Sequence, residues 1–184
     1  MAGQRFVALL RGINVGGHNV IKMADLRASF AGMGFTDVET LIASGNVVFT
    51  AKRASKSKLI ADIEQRLSRD FRYRSRVHVV SADELTQVVA EAPTGFGGRP
   101  VTYRYDVLFV MEPFTAKQAL AQVPVPPRVD EATAGRHALY FRRLVAKAAQ
   151  SHLVRLAQQP VYQHLTVRNW NTTTKLLALA SQAR

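Results

Sequence analysis

The densest set of potential ligand-binding groups lies near the C-terminus, where residues 168–175 read RNWNTTTK and include the only tryptophan. Two amides, three hydroxyls and a cation at each end suit a polar or anionic ligand. Arg168 offers a bidentate contact to phosphate or carboxylate, and Trp170 offers a ring for stacking. The alternative is structural, with Asn171 or Thr172 capping the next helix and Trp170 filling the core. The predicted ligand contacts in this segment are Arg168, Asn169, Trp170, Asn171, Thr172 and Lys175.

A second polar loop, GINVGGHN at residues 12–19, follows an apolar run and precedes a helical pattern. Its glycine spacing matches a P-loop, but His18 and Asn19 replace the lysine and hydroxyl that handle phosphate and Mg²⁺. We therefore do not expect ATP or GTP hydrolysis by that mechanism. Two interpretations stay open: backbone binding of an anion, helped by Arg11 and Lys22, or a tight turn that needs positive φ at its glycines. The predicted contacts in this loop are Arg11, Asn14, Gly16, Gly17 and Lys22.

Residues 44–46 (SGN) form a hairpin signal between two apolar runs. Taken alone, they predict a turn. Ser44 would act as a nucleophile only beside a base, and the sequence offers no base at a diagnostic spacing. The predicted contacts in this hairpin are Ser44, Gly45 and Asn46.

The amino-acid composition excludes several kinds of functional site. The 184 residues include no cysteine, which excludes disulfides and thiolate metal sites. The five histidines have no metal-ligand spacing, so we expect no metal and no cofactor. The sequence has no secretory signal pattern and no run of 18 apolar residues, so it predicts a cytoplasmic protein without a membrane span.

Positive charge is concentrated in the second half. The net charge is +12, and residues 95–184 carry 12 basic and 4 acidic side chains. After Glu131 no carboxylate side chain follows. Such a field attracts anionic partners, nucleic acid included, although general solubility is an equally open interpretation. The predicted strands carry no RNP-type aromatic motif, which argues against RNA binding of the RRM kind.

Apolar spacing predicts the order β-α-β-β-α-β in each half, with one extra helix. This is the order of the ferredoxin-like split βαβ unit. The predicted fold class is therefore α+β, with two ferredoxin-like subdomains packed together. The first half has strands near 6–11, 38–43, 47–50 and 76–80, with helices near 23–33, 59–71 and 81–92. The second half has strands near 105–111, 128–131, 138–142 and 162–167, with helices from 115, at 151–158 and at the C-terminus. Ser81 with Glu84 predicts a capping box for the helix at 81–92, and Thr115 with Gln118 predicts a cap for the helix from 115.

A segment rich in proline and glycine marks the boundary between the halves. We predict a first subdomain at 1–92, a linker at 93–102 and a second subdomain at 103–184. In this topology strands 1 and 2 point the same way with strand 3 between them. Loop 11–22 and hairpin 44–46 should then meet at one sheet edge, beside the N–H groups that begin the first helix.

Five ordered motifs together resemble the DUF1697 family, bacterial proteins of unknown function. The motifs are LLRGINVGG (9–17), KMADL (22–26), GFTDV (34–38), SGNVVF (44–49) and RNWNT (168–172). The resemblance spans nearly the whole chain and implies two ferredoxin-like subdomains. It implies no established reaction, cofactor or catalytic residue.

Two positions depart from the pattern of that family. His18 stands where the resemblance implies lysine, and His152 stands in AQSHL (149–153) where relatives often read Gly-x-Ser-Lys-Leu. Each change replaces a permanent cation with a titratable one. If those lysines bind an anion, this chain should bind it more weakly or with a pH dependence.

Three functions remain open on the sequence. The leading hypothesis is binding of a small anionic, phosphate-bearing, nucleotide-like ligand by loop 11–22, hairpin 44–46 and segment 168–175. A second is non-enzymatic nucleic-acid binding through the basic C-terminal half. A third is a transferase or hydrolase acting on a nucleotide-like substrate, for which no general base can be identified.

Overall fold

A computed structural model describes residues 3–42, 45–52 and 54–182, with only the backbone of Val154. The chain divides into two compact units, one of Met1–Leu85 with Lys175–Arg184 and one of residues 86–174. Each unit contains one four-stranded antiparallel sheet. No helix in the described ranges is long and apolar enough to cross a membrane.

The sheet of the first unit has the strand order β2-β3-β1-β4, and each neighbouring pair is antiparallel. Strands β1 and β2 therefore point the same way with β3 between them, as the sequence predicted. The elements are β1 (Gln4–Leu10), α1 (Met23–Ala31), β2 (Thr36–Leu41), β3 (Asn46–Ala51), α2 (Lys56–Phe71), β4 (Val77–Ser81) and then α3 (Ala82–Ala90).

The sheet of the second unit has the equivalent order β6-β7-β5-β8, again antiparallel throughout. The order found twice is that of the ferredoxin-like split βαβ unit, so the predicted α+β fold class is confirmed. The elements are β5 (Tyr103–Val110), α4 (Ala116–Leu120), β6 (Asp130–Ala134), β7 (Ala138–Leu144), β8 (Leu165–Asn169) and α5 (Trp170–Ala180).

Three 3₁₀ helices, Val145–Gln150, His152–Gln158 and Pro160–His164, connect β7 to β8. The helix predicted over 151–158 is present, and it is a 3₁₀ helix. Ser151 and Gln159, at its two ends, are extended, and Gln159 precedes a proline that disfavours helical backbone. The strand expected from 162 begins at Leu165 instead, because Pro160 starts a short helix before it.

The core of the first unit lies between its sheet and α1 and α2. Leu59, Ile63 and Leu67 recur every four residues along α2 and are buried on one helical face. The Phe49 ring packs on Phe30 at 5.4 Å and lies 5.8 Å from Phe6. These contacts remove large aromatic surfaces from water, which holds the helices on the sheet.

Four of the five α-helices in the described chain begin with a side chain that accepts a hydrogen bond from the first turn. Ser81 with Glu84, and Thr115 with Gln118, form the two capping boxes that the sequence predicts. Ser55 caps α2 through the Lys58 N–H at 3.3 Å, and a side chain described below caps α5. The remaining helix, α1, begins after a lysine.

Candidate functional site

Two asparagine side chains in loop 11–22 form hydrogen bonds that fix the backbone of the loop. The Asn14 side chain accepts from the Ile21 N–H at 2.8 Å and donates to the Ile21 carbonyl at 3.1 Å. The Asn19 side chain donates to the Gly12 carbonyl at 2.7 Å. The Asn14 side chain therefore links the start of the loop to its end near Ile21.

The two adjacent glycines of this loop sit at the centre of a tight turn. The His18 N–H donates to the Val15 carbonyl at 3.0 Å, and Gly16 and Gly17 have φ of 59° and 79°. These positive values agree with the turn interpretation, since only glycine adopts them without strain. The turn leaves His18 exposed.

The hairpin lies against this loop, as the topology predicted. The Leu10 N–H donates to the Gly45 carbonyl at 2.8 Å. A Cβ at Gly45 would stand 2.9 Å from the Leu10 Cβ and 3.0 Å from Ile13, so no side chain fits there. Asn46 is fully buried and donates to the Leu41 carbonyl at 3.1 Å, which braces the hairpin. Ser44 lies outside the described residues.

The first turn of α1 begins beside the same loop and has no side-chain cap. Lys22 occupies the N-cap position with extended backbone, and an ammonium group has no acceptor to offer. The first N–H groups of a helix have no intrahelical partner, and the helix dipole makes this end positive. Lys22 is exposed, Arg11 is half-buried, and Asp25 is the acid of the first turn.

Segment 168–175 begins with a cap. The Asn169 side chain accepts from the Asn171 N–H at 3.0 Å and donates to the Tyr105 carbonyl at 3.2 Å. The cap of α5 is therefore Asn169, and not Asn171 or Thr172 as the structural alternative had it. Helix α5 starts earlier than expected because β8 runs directly into it.

Arg168 and Trp170 pack within the second unit. Arg168 is 8% exposed, and its guanidinium donates to the Thr166 hydroxyl at 3.0 Å and to the Val167 carbonyl at 2.8 Å. The Trp170 ring meets the Phe96 ring edge-on at 5.1 Å. Both side chains thus have structural contacts in addition to any ligand role.

The other predicted contacts of this segment are more accessible. Asn171 and Lys175 are exposed, and Thr172 is half-buried. Lys175 belongs to the first compact unit, whereas residues 168–174 belong to the second. A meeting of loop 11–22 with segment 168–175 stays a prediction.

A cavity in the second unit was missed at the sequence level. It has a volume of about 220 Å³ and holds an ion pair between Glu131 and Arg142, with Oε2 and Nη2 2.6 Å apart. This ion pair raises the pKa of Arg142. The Tyr140 hydroxyl donates to the Val88 carbonyl at 2.7 Å, and burial raises the pKa of Tyr140. The lining residues are Pro93, Thr94, Phe96, Glu131, Thr133, Tyr140 and Arg142.

Two buried carboxylates lie on strands of the same sheet. Asp130 accepts from the Ser151 hydroxyl and from the His152 backbone N–H, both at 3.0 Å. Burial raises the pKa of Asp106, and the nearby Arg143, 3.9 Å away, opposes that shift. His152 is thus held through its backbone. No group of three His, Asp or Glu side chains that could hold a metal is found among the described residues.

Comparisons with known proteins agree with this architecture. A family described as "Protein of unknown function (DUF1697)" matches residues 4–140. The solved structure of conserved bacterial protein SP0830 from Streptococcus pneumoniae is similar, with 26% sequence identity and a TM-score of 0.85. The alignment covers 98% of this chain and 100% of that one. No curated protein matches the chain significantly.

Proposed function

Because the chain belongs to the DUF1697 family, whose function is unknown, we propose a function from its own residues: it binds a small anionic, phosphate-bearing, nucleotide-like ligand. The primary contacts are assigned to loop 11–22 and hairpin 44–46, at the start of α1. Segment 168–175 is proposed as a second contact surface, through Asn171, Thr172 and Lys175. Within that segment, Arg168, Asn169 and Trp170 support the contacts.

One observation carries this proposal: α1 begins with Lys22, a cation that cannot cap, where the other four described α-helices begin with a side-chain acceptor. An anion at this position would accept from the first N–H groups of α1 and interact with the positive end of its dipole. Lys22 would add charge from an exposed side chain, and Arg11 would do so from a half-buried one.

Phosphate suits these donors better than a planar anion does. Its tetrahedral oxygens accept hydrogen bonds from several directions, so one group can engage backbone N–H groups and side chains together. Residues 11–24 include no acid, which keeps the local field positive up to Asp25. The two-glycine turn lets the backbone approach the ligand closely.

The test is a thermal-shift and calorimetric titration with inorganic phosphate, pyrophosphate and nucleoside monophosphates at low and high salt. A ligand that binds only the folded state raises the melting temperature by mass action. We expect Arg11→Ala with Lys22→Ala to weaken phosphate binding about tenfold or more. The matched control is Lys58→Ala, since Lys58 is exposed in the first turn of α2, where Ser55 provides a cap. Equal binding by both variants would refute the assignment.

Nucleic-acid binding is the competing proposal, and exposed cations in the second unit favour it. It predicts that log K falls steeply and linearly with log salt concentration for any polyanion. Single phosphates would then give no shift. The exposed arginines concerned are Arg99, Arg104, Arg128, Arg136 and Arg155.

A transferase or hydrolase activity on the same nucleotide-like ligand is the third proposal. It requires a general base within hydrogen-bond reach of the reacting group. His18, exposed in the glycine turn, carries an imidazole that we propose as this base. Turnover of the bound nucleotide that is lost in His18→Gln would support catalysis, and a ligand recovered unchanged after prolonged incubation would exclude it.

A further inference from the structure

We infer that the second unit contains a separate binding pocket for a small ring-bearing carboxylate, in the cavity between residues 93–96 and the sheet. Tyr140 and Arg142 alternate with Leu139 and Phe141 along β7. Leu139 and Phe141 pack in the core with Leu156 of the 3₁₀ helices, so the cavity opens on the other face of the sheet.

Arg142 supplies the group that recognises the carboxylate. Its guanidinium stacks over the Tyr103 ring at 4.9 Å, and Nη2 contacts Glu131. Its Nε is buried and has no hydrogen-bond partner among the described residues. A buried donor without an acceptor is costly and requires an explanation. Arg143 Nε is unpaired in the same way, but of the two arginines only Arg142 lines this cavity. Nε itself has almost no exposed surface, so a ligand in the cavity reaches it by displacing the Glu131 side chain from the same edge of the guanidinium.

The geometry of arginine points to a planar, two-oxygen acceptor. Nε and Nη2 form one edge of the guanidinium fork, which matches a carboxylate bidentately. A bound carboxylate would accept one hydrogen bond from Nε and a second from Nη2, where it would displace Glu131. Glu131 has a side chain 61% exposed, so it can turn to water at little cost. Arg128 lines an adjoining space of about 90 Å³ and adds positive charge there.

The remaining walls favour a flat ring. Phe96 and Tyr140 meet edge-on at 5.6 Å, and Pro93 completes an apolar side. A ring of the ligand can pack on these faces, while Thr94 and Thr133, both exposed, add hydroxyl groups to the lining. The volume of about 220 Å³ is that of roughly seven liquid water molecules, which suits a ligand of about ten non-hydrogen atoms.

This pocket is independent of the proposed phosphate site. Its lining residues all belong to the unit of residues 86–174, and none lies in loop 11–22 or hairpin 44–46. The two proposals therefore stand or fall separately. Lys22→Ala should leave this pocket unchanged, and variants of Arg142 should leave phosphate binding unchanged.

Benzoate is the probe, followed by calorimetry and by saturation-transfer NMR. We expect benzoate to bind the full chain with a Kd on the order of 1 mM, the range open to so small a ligand. Benzylamine has the same ring with a cation and should not bind. Arg142→Lys keeps the charge but loses Nε and the fork, so benzoate affinity should fall about tenfold.

The matched control is Arg143→Lys, because Arg143 is the next residue of β7, also contacts a carboxylate and faces the other side of the sheet. It should leave benzoate binding unchanged. If Arg142→Lys does not fold, Thr133→Tyr places a larger side chain in the cavity from β6 while leaving Arg142 unaltered, and it should abolish binding. No benzoate binding at about 10 mM, equal binding of benzylamine, or equal affinity in Arg142→Lys and Arg143→Lys would each overturn the inference.

Discussion

The only tryptophan, Trp170, lies against a glycine turn. The position of its indole ring depends on the backbone conformation of that turn. A Cβ at Gly97 would overlap Cδ1 and Nε1 of Trp170, and φ there is 86°. In the same turn Gly95 has φ of 76°, and a Cβ added there would have no atom within 4 Å. The two glycines therefore separate the cost of backbone strain from the cost of displacing the indole.

We expect Gly97→Ala to destabilise the protein by about 2–4 kcal/mol and to shift the tryptophan emission, because the indole must move. Gly95→Ala should cost only about 1–2 kcal/mol and leave the emission unchanged. Urea unfolding followed by fluorescence measures both quantities. Equal stability of the two variants would show that Trp170 does not pack on this turn.

Lys22 should be a residue where stability and ligand binding oppose each other. Its backbone is extended, so serine fits the N-cap position without rearrangement. We expect Lys22→Ser to raise the free energy of unfolding by about 0.5–1 kcal/mol, and to weaken phosphate binding about tenfold, because the serine oxygen occupies the N–H groups. Lys22→Ala is the control, since it removes the charge without adding a cap. A Lys22→Ser variant that binds phosphate as the unaltered protein does would contradict this role.

The start of α5 depends on one amide. We expect Asn169→Ala to cost about 1–2 kcal/mol, because it removes the cap of α5 and the hydrogen bond to the Tyr105 carbonyl. Asn171→Ala, at an exposed position two residues later, should change stability by less than about 0.5 kcal/mol. Chemical denaturation gives both values. Equal losses would contradict the role of Asn169 as the cap of α5.

The packing of α1 on α2 includes a charged hydrogen-bond cluster. Asp70 accepts from Arg66 Nε at 2.5 Å and from the buried Ser29 hydroxyl at 2.7 Å. The hydrogen bond from Arg66, and then that from Ser29, lower the pKa of Asp70. A lowered carboxyl pKa contributes stability that is present above the unfolded-state pKa and is lost as pH falls through the folded-state pKa.

We therefore expect Asp70→Asn to be less stable than the unaltered protein by a constant amount above about pH 5, with the difference shrinking below about pH 4. Thermal melts across this range measure it. Asp62→Asn removes only an exposed pair with Lys58 and should stay within about 0.5 kcal/mol at every pH. A difference for Asp70→Asn that grows at low pH would have the wrong sign for this mechanism.

Local rules were enough to predict most elements from the sequence. The spacing of Leu59, Ile63 and Leu67 predicted α2, and the capping boxes at Ser81 and Thr115 were both correct. The 3₁₀ helices before β8 were not predictable from apolar spacing, because Pro160 and its predecessor set the backbone there.

Side-chain roles that depend on strand pairing were beyond local rules. The pairing of Glu131 with Arg142 follows from the register of β6 on β7, which no local pattern fixes. Asn46 and Asn169 have amide side chains of the kind that contact ligands. In the structure Asn46 is fully buried and Asn169 caps a helix. The nearness of Gly45 to Leu10 was predictable, because strand order alone requires it.

The whole chain carries a net charge of +12, so any polyanion will be attracted to it. We expect binding of a short single-stranded RNA to weaken by about tenfold or more between about 50 and 200 mM salt, since many released counterions contribute. Binding of inorganic phosphate at α1 should weaken by less, because one anion displaces few ions. Fluorescence anisotropy and calorimetry across that range compare the two. If the affinities for RNA and for phosphate fell equally with salt, phosphate binding would be due to the general positive field of the protein.

The most direct measurement is an amide ¹H–¹⁵N titration of the full chain with inorganic phosphate. The proposed site predicts that the largest shifts occur at the first turn of α1, residues 23–25, and in the glycine turn at 16–18. Residues 56–58, at the side-chain-capped start of α2, should not shift. Shifts spread evenly over exposed basic residues, or equal at the starts of α1 and α2, would contradict a built anion site in this protein.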